Sequence, residues 1–128
     1  MTRLTLEWVT KAEGDFHTAQ REVRARKLPN HDSACFHSQQ CVEKYVKARL
    51  QEAGIAIPHT HDLELLLKLA LPVEPLWSGL QPAMRVLTVY AVKVRYPGSH
   101  VSRTQAKEAF IHCRAIRKLI RLGLGLKP

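Results

Sequence analysis

Arg95 and His100, five positions apart in the run RYPGSH, are residue types that could act together as a proton acceptor and an anion clamp. A neutral imidazole can take the proton from a ribose 2′-hydroxyl, while a guanidinium holds the phosphate under attack and offsets the charge that develops there. That chemistry requires no metal and no other cofactor. Tyr96, Pro97 and Gly98 interrupt helical period between the two, so the pair belongs where one helix stops and the next begins. Lys93, Arg103 and Lys107 surround it in sequence and are candidates for following a nucleic-acid backbone. The bland alternative for these cations is a solvated face on a basic chain.

The elements that must position the pair are read from apolar period. Leu4 to about Arg26 places Leu4, Trp8, Ala12, Ala19 and Val23 on one stripe, an amphipathic helix that Pro29 and Asn30 end. Asp32 or Ser33 is expected to cap the next helix, which runs to about Glu52 with Cys35, Val42, Tyr45, Val46 and Leu50 inward. Gly54 and Pro58 follow, and the loop AIPHTHD leads into a short apolar helix from about Asp62 to Ala70. A further helix is expected from about Leu80 to Val94. The last begins near Ser102, where Ser102 and Gln105 form a capping box, and turns Ala106, Ala109, Phe110, Cys113, Ile116 and Ile120 inward. No strand pattern competes, so the expected fold is all-α: an up-and-down four-helix bundle with an additional short helix.

The length of 128 residues suits one domain, 1–128, with a single core. Twenty Lys and Arg against eleven Asp and Glu give a formal charge of +9, which favours phosphate-bearing partners or an acidic protein. Cys35, Cys41 and Cys113 form neither a CxxC pair nor an even set, so free buried thiols are expected rather than a disulfide framework. His59 and His61, with Cys35 or His37, lack a regular ligand set and read as turn residues, so no metal is expected. No leader and no run of about 20 apolar residues is apparent, and a cytoplasmic, membrane-free protein is expected. The basic tail RAIRKLIRLGLGLKP resembles a membrane-surface segment, but Ile116 and Ile120 fit core packing better.

In the second helix, ACFHSQQCVEKYVKARL closely resembles the signature of HEPN domains, the higher eukaryotes and prokaryotes nucleotide-binding family, through Ala34, Phe36, His37, Gln39, Gln40, Glu43, Lys44 and Lys47. Trp8, Ala12, Asp15 and Ala19 agree in the first helix, PHTHDLELL looks like the family's P-x-T-H-D-L segment, and RYP recurs before the last helix. The resemblance implies a helical bundle, commonly a homodimer, that works on or near RNA or a nucleotide. It also implies that His37, Gln40, Glu43 and Lys44 lie at the dimer seam or its cleft; the residues by themselves suit hydrogen bonds and ion pairs. The family's ribonuclease branch carries R-x(4–6)-H at the start of its final helix, and Arg95 and His100 match with four residues between. Tyr96 stands where the commonest active form has a polar residue. Ser102 stands where a subgroup has a tyrosine that a partner nucleotidyltransferase adenylylates, so that regulation does not carry over.

Three functions follow. One is a metal-independent endoribonuclease, the toxin of a toxin–antitoxin pair. Another is a non-catalytic nucleotide- or nucleic-acid-binding module, or an accessory subunit of a minimal nucleotidyltransferase. The last is an assembly protein that meets an acidic partner.

Overall fold

Helix α1 (Arg3–Arg24) starts at the Thr2 cap, whose hydroxyl accepts from the Thr5 amide. A computed structural model describes all of residues 1–128. Helix α2 (His31–Glu52) returns beside α1: Thr5 Oγ1 donates to Glu52 at one end of the pair, and the Asn30 amide donates to Glu22 at the other. The chain climbs back along α2 without helix, descends through α3 (Leu63–Ala70), and rises again through a 3₁₀ turn (Pro75–Leu80) into α4 (Gln81–Thr88). Helix α5 (Arg103–Gly123) then runs down α2, from the Val101 amide, bonded to Asp32, to Arg121, bonded to the Tyr45 hydroxyl. The result is the expected all-α bundle, four legs in up-and-down order with α3 as the extra short helix.

One continuous cluster of buried side chains joins all five helices, with Val9, Tyr45, Leu66, Met84 and Ile116 among its members. Burial of each large apolar side chain contributes about 2 kcal/mol. Ile116 and Ile120 are buried there, as the core reading of the tail requires, and no helix is long and apolar enough to cross a membrane. All three cysteines are buried and unbridged. Burial pushes the Cys35 thiol up to about 12, so it is inert as a nucleophile.

Three expectations need correction. The second helix is capped by Asn30, whose side chain accepts from the Ser33 amide at 2.9 Å, and not by Asp32 or Ser33. Asp32 lies inside the first turn and reaches across to the Val101 amide at 3.1 Å. The fourth helix does not continue to Val94. It ends at Thr88, tightens into a 3₁₀ turn over Val89–Ala91, breaks at Val92 and resumes as a separate 3₁₀ turn over Lys93–Arg95. Thr88, Val89, Val92 and Val94 are β-branched and stiff at χ1, which weakens the α-helix there. The stripe on α1 is also rotated, since Leu4 is exposed while Thr5, Val9, Asp15 and Phe16 are buried. Thr5 and Asp15 can be buried because Glu52 accepts from the first, and His37 and Lys44 bond the second.

Between α1 and α2, Leu28 is held at φ 49°, the left-handed region that a Cβ disfavours, with its side chain 97 % exposed. Replacing it by glycine relieves strain and sacrifices no packing. Leu28→Gly is expected to raise unfolding stability by about 0.5–1 kcal/mol, the relieved strain less the greater freedom of an unfolded glycine, as read by urea titration.

A polar clamp ties α5 to α1. Glu13 accepts two bonds from Arg117, at 2.6 and 2.7 Å, and one from the Tyr45 hydroxyl at 2.6 Å, while the Arg117 guanidinium lies 4.3 Å from the Phe16 ring centroid. Arg117→Ala is expected to cost about 2 kcal/mol, and Arg117→Lys about half of that because a lysine keeps the charge but not the fork. Thermal melts of the two variants check the order.

Candidate functional site

The N-terminal ends of α2 and α5, the C-terminal end of α1 and the Lys93–Arg95 turn meet at one end of the bundle. Pro97 forces Tyr96 into extended backbone (φ −119°, ψ 147°), and Gly98 supplies the φ of +87° that the turn needs. The chain therefore reverses between Arg95 and His100, and the Ser102–Gln105 capping box starts α5 immediately after.

Both side chains of the pair are exposed, and neither has a hydrogen-bonding or ionic partner within the chain. The Arg95 guanidinium lies 5.2 Å from the centroid of the Phe36 ring. It borders a cleft of about 320 Å³ with Asn30, Asp32, Ser33, Phe36 and Val94. His100 borders a second cleft of about 380 Å³ with Pro29, Asn30, His31, Asp32 and Val101. Asn30 and Asp32 are common to both, so the arginine and the histidine flank one wall, the first turn of α2. The Asp32 carboxylate on that wall accepts from the Val101 amide and fixes the backbone next to His100. It also places a negative charge on the wall that Arg95 and His100 share, which disfavours the growth of further negative charge there.

The amides at the start of α5 offer less to an anion than a bare helix end does. The Val101 N–H donates to Asp32, the Ser102 N–H to Gln105 Oε1, and the Gln105 N–H to Ser102 Oγ. The helix dipole remains, but most of the local donors are already engaged.

Arg103 and Lys107, one turn apart on α5, line a third and larger cleft of about 790 Å³ together with Arg24, Arg26 and His31. Lys93 lines none of the three clefts and lies near Cys35 instead. The contributions of Arg24, Arg26, His31 and Asp32 were not apparent from the sequence. The available signal was the charge run REVRARK, which spans the end of α1 shortly before the Pro29–Asn30 break.

His37, Gln40, Glu43 and Lys44 lie elsewhere, and each has a partner within the chain. His37 Nδ1 and Lys44 Nζ each sit 2.7 Å from a different oxygen of Asp15. Gln40 donates to Gln39 Oε1 at 2.7 Å, and Glu43 is bonded to Gln39, Lys47 and His61. These groups brace α2 against α1 and against the loop before α3. Burial alone would push the Glu43 carboxyl up, but the bonds from Gln39, His61 and Lys47 outweigh it and hold the group below the usual carboxylate range. The same is true of Glu13, where burial is outweighed by Arg117 and Tyr45. With His37 on Asp15 and His61 on Glu43, the histidines and cysteines do not converge on a metal-binding set.

An all-α bundle whose second helix is braced by internal polar bonds, with a basic end beside an Arg-Tyr-Pro turn, defines a class of small helical domains. The HEPN domain family model matches residues 5–122, and the chain belongs to that family. Two solved structures resemble it over nearly their full lengths. The crystal structure of TT1696 from Thermus thermophilus is 25 % identical with a TM-score of 0.79, covering 94 % of this chain and 98 % of its own. The crystal structure of ST0689, an archaeal HEPN homologue, is 25 % identical with a TM-score of 0.74, covering 97 % and 99 %. No protein among the curated proteins matches the chain.

Proposed function

We propose that this HEPN protein is a metal-independent endoribonuclease of the toxin type, with His100 as the base toward a ribose 2′-hydroxyl and Arg95 as the clamp on the adjacent phosphate. The observation that carries this reading is that the two side chains are exposed, unpartnered and set on either side of the same turn of α2. In a structural ion pair the arginine would have a carboxylate, and here it has only the face of Phe36. A homodimer brings two such pairs to one cleft, and an antitoxin, such as a minimal nucleotidyltransferase, acts by covering or modifying it.

Asp32 favours a second reading. Its carboxylate, on the wall between Arg95 and His100, opposes the charge that grows on an attacked phosphate. On that account the same end of the bundle binds a nucleotide or RNA without cutting it, as an accessory to a nucleotidyltransferase.

The test is purified protein with mixed cellular RNA in EDTA, with product ends analysed. Cleavage that yields 2′,3′-cyclic phosphate or 3′-phosphate ends, and that is lost in His100→Ala and in Arg95→Ala, supports the ribonuclease. Binding without turnover in all three proteins supports the accessory module.

A further inference from the structure

The four cations and one histidine of the largest cleft come from two separate parts of the chain. Arg24 ends α1 and Arg26 follows its C-cap, His31 opens α2, and Arg103 and Lys107 lie on the first two turns of α5. The remaining lining residues, Val23, Ala25 and Pro29, carry no charge. Arg24, Arg26, Arg103 and Lys107 are exposed and have no salt bridge within the chain. The nearby carboxylates are turned to other work: Glu22 accepts from the Asn30 amide, Asp32 from the Val101 amide, and Glu108 lies 3.6 Å from His112. A concave surface with this many unpaired cations and no carboxylate in its lining is a site for a polyanion.

The groove also leads somewhere. It shares Pro29 and His31 with the His100 cleft, which in turn shares Asn30 and Asp32 with the Arg95 cleft. The three form one path around the start of α2, basic at one end and ending at Arg95 stacked on Phe36. A path that turns around a helix end suits a flexible single strand better than a stiff duplex, and a cationic track beside aromatic and guanidinium groups is a pattern of single-strand recognition.

We infer that the groove between the end of α1 and the start of α5 binds the phosphates of single-stranded RNA and feeds the strand past His100. Arg24 and Arg26 are its principal phosphate contacts on the α1 side, joined by Arg103 and Lys107 on the α5 side. The feeding direction rests on the proposed ribonuclease; the binding does not.

The experiment is fluorescence anisotropy with a short labelled single-stranded RNA in EDTA, using the His100→Ala background so that the probe stays intact, across a salt series. Arg24→Ala combined with Arg26→Ala is expected to weaken binding about 10-fold or more and to flatten the slope of log Kd against log salt by about 1.4. Arg3→Ala combined with Lys11→Ala removes equal charge from the other half of α1 and is expected to change binding less than about twofold. Equal weakening by both double variants would mean a general field, and an acidic peptide of matched charge that competes as well as unlabelled RNA would mean a protein-docking face; either overturns the groove. Catalysis is scored separately with His100 restored. RNA that is bound through the groove but never cut leaves the groove standing and removes the ribonuclease. RNA that is cut normally by the Arg24/Arg26 double variant, with unchanged Kd, does the reverse.

Discussion

His100→Ala is expected to slow RNA cleavage by about 10²–10⁴-fold, the usual contribution of a positioned general base. Because the imidazole is exposed and bonds nothing in the chain, its loss leaves the thermal midpoint in place, and a rate loss without a stability loss separates chemistry from folding. Arg95→Ala is expected to cost about 10²–10³-fold, as for removal of one group that stabilises transition-state charge. Arg95→Lys falls between, since lysine keeps a charge near the phosphate but loses the planar fork and its stack on Phe36. Single-turnover rates on one defined RNA, measured beside circular-dichroism melts, give both quantities. Full cleavage by His100→Ala would remove the histidine from the mechanism, whatever the product ends.

The capping box at Ser102 and Gln105 and the inward stripe of α5 were legible in the sequence because each depends only on residues close together in the chain. The break at Val92 was less so. Leu80, Ala83, Leu87, Tyr90, Ala91 and Val94 keep helical period through it, while the β-branched residues that loosen the helix register only as a weak propensity. For Asp32, the sequence offered an N-cap two residues away from the true one. Its actual role depends on Val101, 69 positions later, which local pattern cannot supply.

The candidate site divides in the same way. Arg95 and His100 are visible as a pair because one short turn separates them. The basic groove is not, since Arg24 and Arg26 meet Arg103 and Lys107 only after α1 and α5 have packed antiparallel. Conversely, the polar residues of α2 that most resemble a family signature are engaged in holding the bundle together. Asp15, with His37 and Lys44 on its two oxygens, joins α1 to α2, and His61 on Glu43 fixes the P-x-T-H-D segment. A motif can therefore mark a fold as strongly as it marks a site.

Glu43 is where that bracing is most sensitive to substitution. The residue is 4 % exposed, and its carboxylate accepts from Gln39 Nε2 at 3.1 Å and Lys47 Nζ at 3.1 Å, with His61 Nδ1 at 2.8 Å. Lys47 is itself 8 % exposed, its ammonium otherwise facing only the Trp8 ring at 5.7 Å. Glu43→Ala leaves that cation buried without a counter-charge, and is expected to lower stability by about 3–5 kcal/mol in urea titration. If the unpaired lysine is the cause, Glu43→Met combined with Lys47→Met recovers most of the loss, because burying two apolar chains of similar volume avoids both desolvation penalties. A double variant as unstable as the single would place the cost in the Gln39 and His61 bonds instead. The acid limb of stability gives an independent check. The Glu43 carboxyl is held below its ordinary value, so its stabilisation is fully present above the unfolded carboxyl pKa, 4.5, and is lost as the pH falls through the lower folded one. In Glu43→Gln that part of the acid loss is absent, and stability falls less steeply below pH 4.5 than in the parent, though from a lower plateau.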